Sequence, residues 1–167
     1  GGQGLGCAEQ YGVLDQIDFL VGTFGKAIAS VGGYIICDSI MRDYLINKMR
    51  PLIFSTALPP ISMAWSDFIF NKVLNMQQQR QHLAEISQYL QQAVIAKGFS
   101  SPSSSHIIPI ILGESQAAIK KARYVQQQGF YAMPVRPPTV PQNSSRLRIS
   151  LTALVQKNEL QQLVECL

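Results

Sequence analysis

The stretch Val21–Gly33, VGTFGKAIASVGG, sets one lysine among small residues directly after an apolar run. The run, Ile17–Thr23, predicts a strand buried on both faces, as in a parallel sheet. Lys26 follows it and has two interpretations. It is either a strand-end lysine whose aliphatic stem covers apolar surface, or an amine in a partly dry site that attacks a carbonyl and forms a Schiff base. Thr23 is correspondingly either an ordinary β-branched strand residue or a hydrogen-bond donor to an anionic group of a cofactor.

Composition excludes several classes of protein. The chain has 167 residues, of which 47% are hydrophobic and 14% charged, so the low charge argues against disorder. The net charge of +4 comes without the row of basic and aromatic residues that nucleic-acid binding requires, and no nucleic-acid partner is expected. No apolar run reaches about 18 residues, so no membrane partner is expected either.

The cysteines and histidines point to neither disulfides nor a metal. Three cysteines without CxxC spacing predict buried thiols in a reducing compartment, and therefore a cytoplasmic protein; they are Cys7, Cys37 and Cys166. His82 and His106 have no partners at metal-ligand spacing, so no metal site is predicted.

Elements of the first half alternate short apolar runs with breakers. Tyr34–Cys37 is a second apolar run, and Asp38 or Ser39 is a plausible N-cap for a helix that ends near Met49. Residues 52–56 predict another short strand. Nothing interrupts a helix between 61 and 97, which predicts a single connecting helix about 55 Å long, with its apolar early part buried against more than one neighbour.

The second half predicts a β-α-β arrangement after a serine-rich loop. The pattern consists of strands at 107–112 and 130–135 with a helix between them, capped by Ser115 and ended by Gly129. An alternating strand follows at 146–152, then a final helix from 157. The fold class is therefore α/β, with one mixed sheet and part of a second.

Four segments, taken in order, resemble the α-oxoamine synthases, pyridoxal-phosphate enzymes that condense an amino acid with an acyl thioester. They are Val21–Gly33, Leu52–Pro60 (LIFSTALPP), Gly1–Glu9, and Arg136–Pro141 (RPPTVP) followed by Arg146–Ala153 (RLRISLTA). The last is similar in particular to the biotin-pathway branch of that family. The resemblance implies the C-terminal part of a pyridoxal-phosphate-dependent transferase of the aspartate aminotransferase-like fold, fold type I.

The resemblance also implies a division into domains. Residues 1–56 would be the end of the large cofactor-binding domain, 57–97 a long connecting helix, and 98–167 a small C-terminal α/β domain.

The resemblance assigns cofactor-binding roles to four residues. Lys26 would hold pyridoxal 5′-phosphate covalently and then act as the catalytic base, and Thr23 would bind the phosphate. Ser55 and Thr56 would reach the phosphate of the partner subunit's cofactor, which implies a homodimer. A local turn at a strand end is the alternative interpretation of this Ser-Thr pair.

The resemblance likewise assigns the substrate site. Thr139 matches a position that contacts substrate, and Arg148 matches the arginine that binds the amino-acid carboxylate, a task suited to a planar bidentate donor. Arg146 can equally be an exposed neighbour without a chemical role.

The implied reaction is the decarboxylative condensation of L-alanine with a pimeloyl thioester, carried by coenzyme A or by acyl carrier protein. Two alternatives remain: a sister enzyme such as a glycine C-acetyltransferase, and a fragment that acts only as a dimerisation or structural module. The family's acidic partner of the pyridine nitrogen, its ring-stacking histidine and its phosphate loop would precede Gly1. The isolated chain is therefore expected to be inactive and to bind the cofactor weakly or not at all.

Overall fold

A computed structural model describes residues 2–167, which form two compact units that divide between Gln77 and Gln78. The first unit contains α1 (Cys7–Gln10), a 3₁₀ turn (Leu14–Gln16), β1 (Leu20–Thr23), β2 (Gly33–Ile36), α2 (Ser39–Lys48), α3 (Arg50–Ile53) and α4 (Pro60–Leu74). The second contains α5 (Gln77–Ala96, its first residue in the first unit), β3 (Ile107–Gly113), α6 (Ser115–Gln127), β4 (Met133–Val135), β5 (Ser145–Ser150) and α7 (Lys157–Glu165). The α/β class is as predicted.

The first unit is built on a β-hairpin. β1 pairs antiparallel with β2, with Leu20 opposite Ile36 and Thr23 opposite Gly33. The prediction of a strand buried on both faces in a parallel sheet was wrong for this chain. β1 has β2 as its one partner among the described residues, and Val21 on its outer face is 69% exposed.

The helix after the hairpin begins where the sequence predicted. The Asp38 carboxylate accepts a 2.8 Å hydrogen bond from the amide of Met41 and so caps α2, which satisfies one of the four free N–H groups at a helix start. The strand predicted at 52–56 was wrong, because this segment starts inside α3. Pro51 occupies the first turn of α3, a position where its missing N–H leaves no bond unmade.

The predicted connecting helix is two helices. α4 ends at Leu74 and α5 begins at Gln77. At the break, the amides of Asn75 and Met76 bond to carbonyls three residues earlier, a tightening that is common in last turns. The Asn75 side-chain amide also donates to the Asn71 carbonyl at 3.2 Å, the kind of local competition with the backbone that disfavours asparagine within helices.

Apolar side chains of α4 are exposed in this chain. Ser66 is the one buried residue of the helix, whereas Trp65 remains 45% and Phe68 51% exposed. The prediction that this part is buried against several neighbours was wrong within residues 2–167. Apolar side chains lie on nearly all sides of α4, and the described residues of the first unit leave many of them uncovered.

The second unit has its own hydrophobic core. Its sheet has the order β3-β5-β4, and β5 pairs antiparallel with both neighbours. α6 crosses from β3 to β4 as the predicted β-α-β pattern requires, ending before Gly129, whose φ is 92°. Its cap position is Glu114 rather than Ser115. The core joins α5, α6, α7 and the sheet through Ile86, Leu90, Val94, Ile108, Ile110, Ala122, Val125, Leu147, Ile149, Leu160 and Leu163.

Strand β5 separates the core from an outer face. Leu147 and Ile149 are buried, while Arg146 is half-buried and Arg148 exposed. Because side chains alternate along a strand, the two arginines share the face that points away from the core.

No helix among the described residues is both long and apolar enough to cross a membrane. Within the same residues no group of three or more histidine, cysteine or acidic side chains is arranged to hold a metal. The cysteines are unpaired, but Cys7 is exposed and the other two are only half-buried. The prediction of buried thiols was therefore wrong.

Candidate active site

Lys26 lies in the nine-residue loop that joins β1 to β2. Two backbone hydrogen bonds close the loop where it leaves the strands, a region we call its neck. The Phe24 amide donates to the Gly32 carbonyl at 3.0 Å, and the Ser30 amide donates to the Phe24 carbonyl at 2.9 Å. A tighter turn inside it bonds the Ala29 amide to the Lys26 carbonyl at 2.9 Å. The lysine side chain is exposed, so its amine can reach a ligand.

Thr23 stands at the neck of the same loop. Its hydroxyl accepts a 3.1 Å hydrogen bond from the Gly25 amide and donates at 3.3 Å to the Gly32 carbonyl. The structure therefore brings Thr23 and Lys26 into one short loop. To donate to a phosphate oxygen instead, the hydroxyl has to exchange its long bond to Gly32, which is a small rearrangement since hydroxyl rotors reorient freely.

Helix α4 anchors this loop. The Trp65 indole N–H donates to the Ala29 carbonyl at 2.9 Å, and Ala29 has a positive φ of 50°. Next to it, the hydroxyls of Ser30 and Ser66 are 2.7 Å apart and hydrogen-bonded. Hydrogen bonds from α4 therefore fix the lysine loop in addition to the bonds at its neck, although the residues of the loop are largely exposed.

Glycines allow the hairpin strands and loop to approach closely. A Cβ added at Gly33 would lie 2.8 Å from the Gly22 carbonyl oxygen, which is backbone and cannot easily move. At Gly25, beside the lysine, a Cβ would meet the Thr23 hydroxyl at an ordinary 3.4 Å. Gly25 therefore keeps side-chain atoms away from this side of Lys26, but its backbone is not packed so closely that a small side chain is excluded.

Ser55 and Thr56 follow α3 in the same unit and are exposed. The Ser55 hydroxyl donates to the Leu52 carbonyl at 3.4 Å, a local turn contact. In the part of the chain that the structure describes, no hydrogen bond joins either residue to the lysine loop.

The second unit carries the predicted substrate residues. The outer face of its sheet holds a pocket of about 440 Å³, lined by both arginines of β5 together with Ile107, Pro109, Val135 and Val140. Thr139 immediately precedes Val140 and is exposed. Its backbone amide donates a 3.0 Å hydrogen bond to the Arg136 carbonyl, which closes a turn.

The cations of these sites are not neutralised within the chain. In the part that the structure describes, no carboxylate lies within 4.0 Å of the charged groups of Lys26, Arg146 or Arg148, whereas Arg42 and Asp43 do form an ion pair at 2.8 Å. An amine and two guanidinium groups are therefore available to anionic or carbonyl-bearing ligands.

Sequence reasoning missed the residues that position the loop. Trp65 and Ser66 were seen only as part of an apolar helix, although each holds a loop residue that lies 36 positions earlier. The available signal was a serine between the large aromatic residues Trp65 and Phe68, in a mostly apolar stretch. Such a residue, when buried, needs a hydrogen-bond partner.

Comparisons with known proteins show the family of the chain. The sequence profile of the aminotransferase class I and II family matches residues 4–167. The chain belongs to this family. It is 52% identical over 168 residues to a Haemophilus ducreyi protein named 8-amino-7-oxononanoate synthase, covering 100% of this chain and 43% of that relative.

Solved structures of related enzymes share the fold. A serine palmitoyltransferase from Sphingomonas wittichii superposes with a TM-score of 0.92 at 30% identity, over 99% of this chain and 42% of that one. An 8-amino-7-oxononanoate synthase from Francisella tularensis gives 0.78 at 25% identity, over 89% of this chain and 44% of that one. Other structures of serine palmitoyltransferase contain pyridoxal phosphate. The chain thus spans less than half the length of the relatives it matches.

Proposed function

We propose that this chain is the C-terminal part of a pyridoxal-phosphate-dependent acyltransferase that joins L-alanine to a pimeloyl thioester and forms 8-amino-7-oxononanoate, an intermediate of biotin biosynthesis. The observation that carries the proposal is the exposed Lys26 amine in a loop held by Thr23 and α4, with no carboxylate partner in the described residues. The identity of 52% to a synthase of this name supports the choice of reaction.

The residues of the lysine loop fit pyridoxal phosphate. The amine of Lys26 is exposed and so accessible for covalent attachment, and Gly25 beside it carries no side chain that would obstruct a ligand. The Thr23 hydroxyl donates to the phosphate once it leaves Gly32. When bound, the cofactor supplies an electron sink for negative charge at the α-carbon of the amino acid.

Lys26 then moves a proton. With the cofactor bound, the Lys26 amine would take the α-proton of alanine as a general base and would return a proton to the same carbon later. Its position in a loop anchored at both neck and outer side keeps the amine in reach of that carbon, because proton transfer needs hydrogen-bond distance.

Residues of the second unit bind the substrates. The Arg148 guanidinium offers two parallel N–H donors to the alanine carboxylate, and the exposed Thr139 hydroxyl contacts substrate beside Val140. The new bond joins the α-carbon to the acyl carbon, the C–S bond breaks and releases the thiol, and the α-carboxylate leaves as carbon dioxide. The α-carbon takes up a proton in its place, so atoms and charge balance.

The assembly extends beyond this chain. Residues 1–56 form the end of a large cofactor domain and 98–167 a small domain, connected by 57–97. Ser55 and Thr56 reach the cofactor phosphate of the partner subunit in a cytoplasmic homodimer. The apolar side chains exposed on α4 are covered in that assembly, and the isolated chain is inactive.

Borohydride trapping tests the role of Lys26. In the full-length protein that contains this chain, borohydride reduction in the presence of pyridoxal phosphate should attach the reduced cofactor to Lys26. Peptide mass analysis should then find this label on the peptide that carries Lys26. Lys26→Ala should abolish the labelling, while Lys72→Ala, a change at another exposed lysine of the first unit, should keep it. Labelling elsewhere in the wild type would overturn the assignment.

A product assay tests the substrates and separates the alternatives. Alanine, glycine and serine are offered with thioesters of several lengths, on coenzyme A and on acyl carrier protein. A preference for alanine and the pimeloyl group supports the proposal. A preference for glycine or serine identifies a sister enzyme of the same family. If Lys26 is labelled by borohydride but no product forms from any substrate pair, the chain has a structural role.

A further inference from the structure

Two arginines two residues apart line one pocket. Arg146 and Arg148 follow the alternation of β5 and both point to the outer face of the sheet. Their Cα positions are about 7 Å apart, as for any i, i+2 pair in a strand. The pocket therefore offers two separate cationic groups along one line, whereas binding of a single amino-acid carboxylate needs only one.

Arg146 is the better fixed of the two. It is half-buried, and its Nε donates a 2.9 Å hydrogen bond to the Ser144 carbonyl. That bond orients the guanidinium and leaves its terminal N–H groups without a carboxylate partner in the described residues. A structural arginine at such a site would be expected to use these groups on protein acceptors, so their availability indicates a ligand.

Most of the pocket lining other than the two arginines is apolar: Ser105 is polar, whereas Pro102, Ile107, Pro109, Val135 and Val140 are apolar. In the sheet register, Arg146 lies between Ile111 on β3 and Val135 on β4, and Arg148 lies between Pro109 and Met133. A ligand that suits such a surface has a carboxylate joined to a short aliphatic chain, because the chain is removed from water against the apolar wall while the charge meets the guanidinium.

We propose that Arg146 binds the terminal carboxylate of the acyl substrate and so selects dicarboxylic acyl thioesters over simple fatty acyl thioesters. This inference rests on the proposed function and assigns the second anionic end of the same reaction. Arg148 takes the carboxylate of the amino acid, and the methylene chain of the acyl group lies along the wall between Pro109 and Val135.

The kinetic test compares two thioesters in the full-length protein that contains this chain. Pimeloyl-coenzyme A carries the terminal carboxylate, and heptanoyl-coenzyme A has the same chain length without it. Arg146→Gln should raise KM for the pimeloyl thioester about 10- to 100-fold, as for a lost charged hydrogen bond, and leave KM for the heptanoyl thioester unchanged. Arg146→Lys, which keeps a point charge without the planar fork, should lose only part of the selectivity.

A matched control removes a positive charge elsewhere in the same unit. Arg123→Gln changes an exposed arginine of α6 and should alter neither KM. Equal effects of Arg146→Gln on both thioesters, or no effect on either in a protein that makes the product, would overturn the role of Arg146 while the proposed function stands.

A binding experiment decides the inference independently of activity. In the 167-residue chain, titration with heptanoate, which carries one carboxylate at the end of an aliphatic chain, should shift the Nε–H resonance of Arg146 in NMR spectra, and titration with uncharged heptanamide at the same concentration should shift it less. Arg146→Gln should weaken heptanoate binding to the level of heptanamide. Indistinguishable binding of the two compounds by the wild-type chain would refute the inference, even where a product assay fails for reasons of the proposed function.

Discussion

The indole N–H of Trp65 donates a 2.9 Å hydrogen bond to the carbonyl of Ala29. This contact links α4 to the loop that presents Lys26, three residues earlier in the chain. Ala29 has a φ of 50°, a conformation that a residue with a side chain adopts at some cost. The tryptophan therefore holds a turn that the loop alone would not favour, and it acts on the lysine only by positioning.

Replacement of Trp65 by phenylalanine removes this donor and keeps most of the ring. We expect faster amide exchange across residues 24–32 and a loss of stability of about 1 kcal/mol, the usual net value of one hydrogen bond. Hydrogen exchange followed by mass spectrometry measures the first effect. Phe70→Leu, at another exposed aromatic of α4, should leave exchange in the loop unchanged, and equal changes in both variants would argue against the anchoring role.

The Ser30–Ser66 pair is a second anchor, and Ser66→Ala tests it. Ser66 is 9% exposed, and its hydroxyl bonds both to Ser30 and to the Ser62 carbonyl at 2.8 Å. Its loss should lower the free energy of unfolding by about 1–2 kcal/mol, since the partly buried hydroxyl of Ser30 loses its shorter hydrogen bond and keeps only the 3.4 Å bond to the Ser62 carbonyl. The measurement is urea unfolding.

Ser62→Ala is the matched control for that variant. Residue 62 lies one turn earlier on the same helix and contributes its carbonyl, which the substitution retains. This variant should unfold like the wild type. A larger loss in Ser62→Ala than in Ser66→Ala would contradict the role of the serine pair.

Local patterns predicted the elements whose ends are fixed by adjacent residues. Asp38 and Ser39 were the two predicted caps, and Asp38 is the one that caps α2; Gly129 was predicted as the residue after α6 and has the required positive φ. In both cases the deciding interaction lies within four residues, so composition and spacing carry the information.

Two kinds of feature were not predictable in this way: local breaks and short helices, and contacts between residues that are distant in the sequence. The helix break at Asn75 and the helix at 50–53 depend on competition between weak local preferences, which a smooth apolar pattern conceals. The anchors of the lysine loop connect residues 36 apart, and no periodicity marks such pairs. The small residues around Lys26 in the sequence identified it as a candidate catalytic residue. The hydrogen bonds that anchor its loop were found only in the structure.

Substitution of Thr23 by valine tests the neck of the lysine loop. Valine keeps the shape and removes the hydroxyl that bonds to Gly25 and Gly32. We expect increased exchange of the Gly25 amide in the 167-residue chain, together with weaker cofactor binding in the full-length protein. Thr23→Ser retains the hydroxyl and should restore both, as measured by hydrogen exchange and by cofactor titration. Failure of serine to restore them would indicate that the methyl group matters instead.

Close approach of the hairpin strands makes Gly33 sensitive to any side chain. In Gly33→Ala the new Cβ would lie 2.8 Å from the Gly22 carbonyl oxygen, so the strands have to separate, at a cost of about 1–3 kcal/mol. Loss of the β1–β2 cross-strand contacts in NMR spectra measures the effect. Gly25→Ala, whose Cβ meets the nearest atom at 3.4 Å, should keep the hairpin, and an intact hairpin in Gly33→Ala would contradict the steric argument.

The core of the second unit supports the outer face on which the arginines lie. Leu147 is fully buried on β5 between Arg146 and Arg148, so its side chain fixes the strand from the opposite side. Leu147→Ala should lower the free energy of unfolding of the second unit by about 2–5 kcal/mol, because apolar contacts are lost and a cavity is left behind. Urea unfolding, followed by a signal from residues of the second unit, measures this change. Leu154→Ala removes the same atoms from a side chain that is 85% exposed and should change stability by less than about 0.5 kcal/mol. If the two variants were equally stable, β5 would not be held by the core, and the fixed spacing of the two guanidinium groups would lose its structural basis.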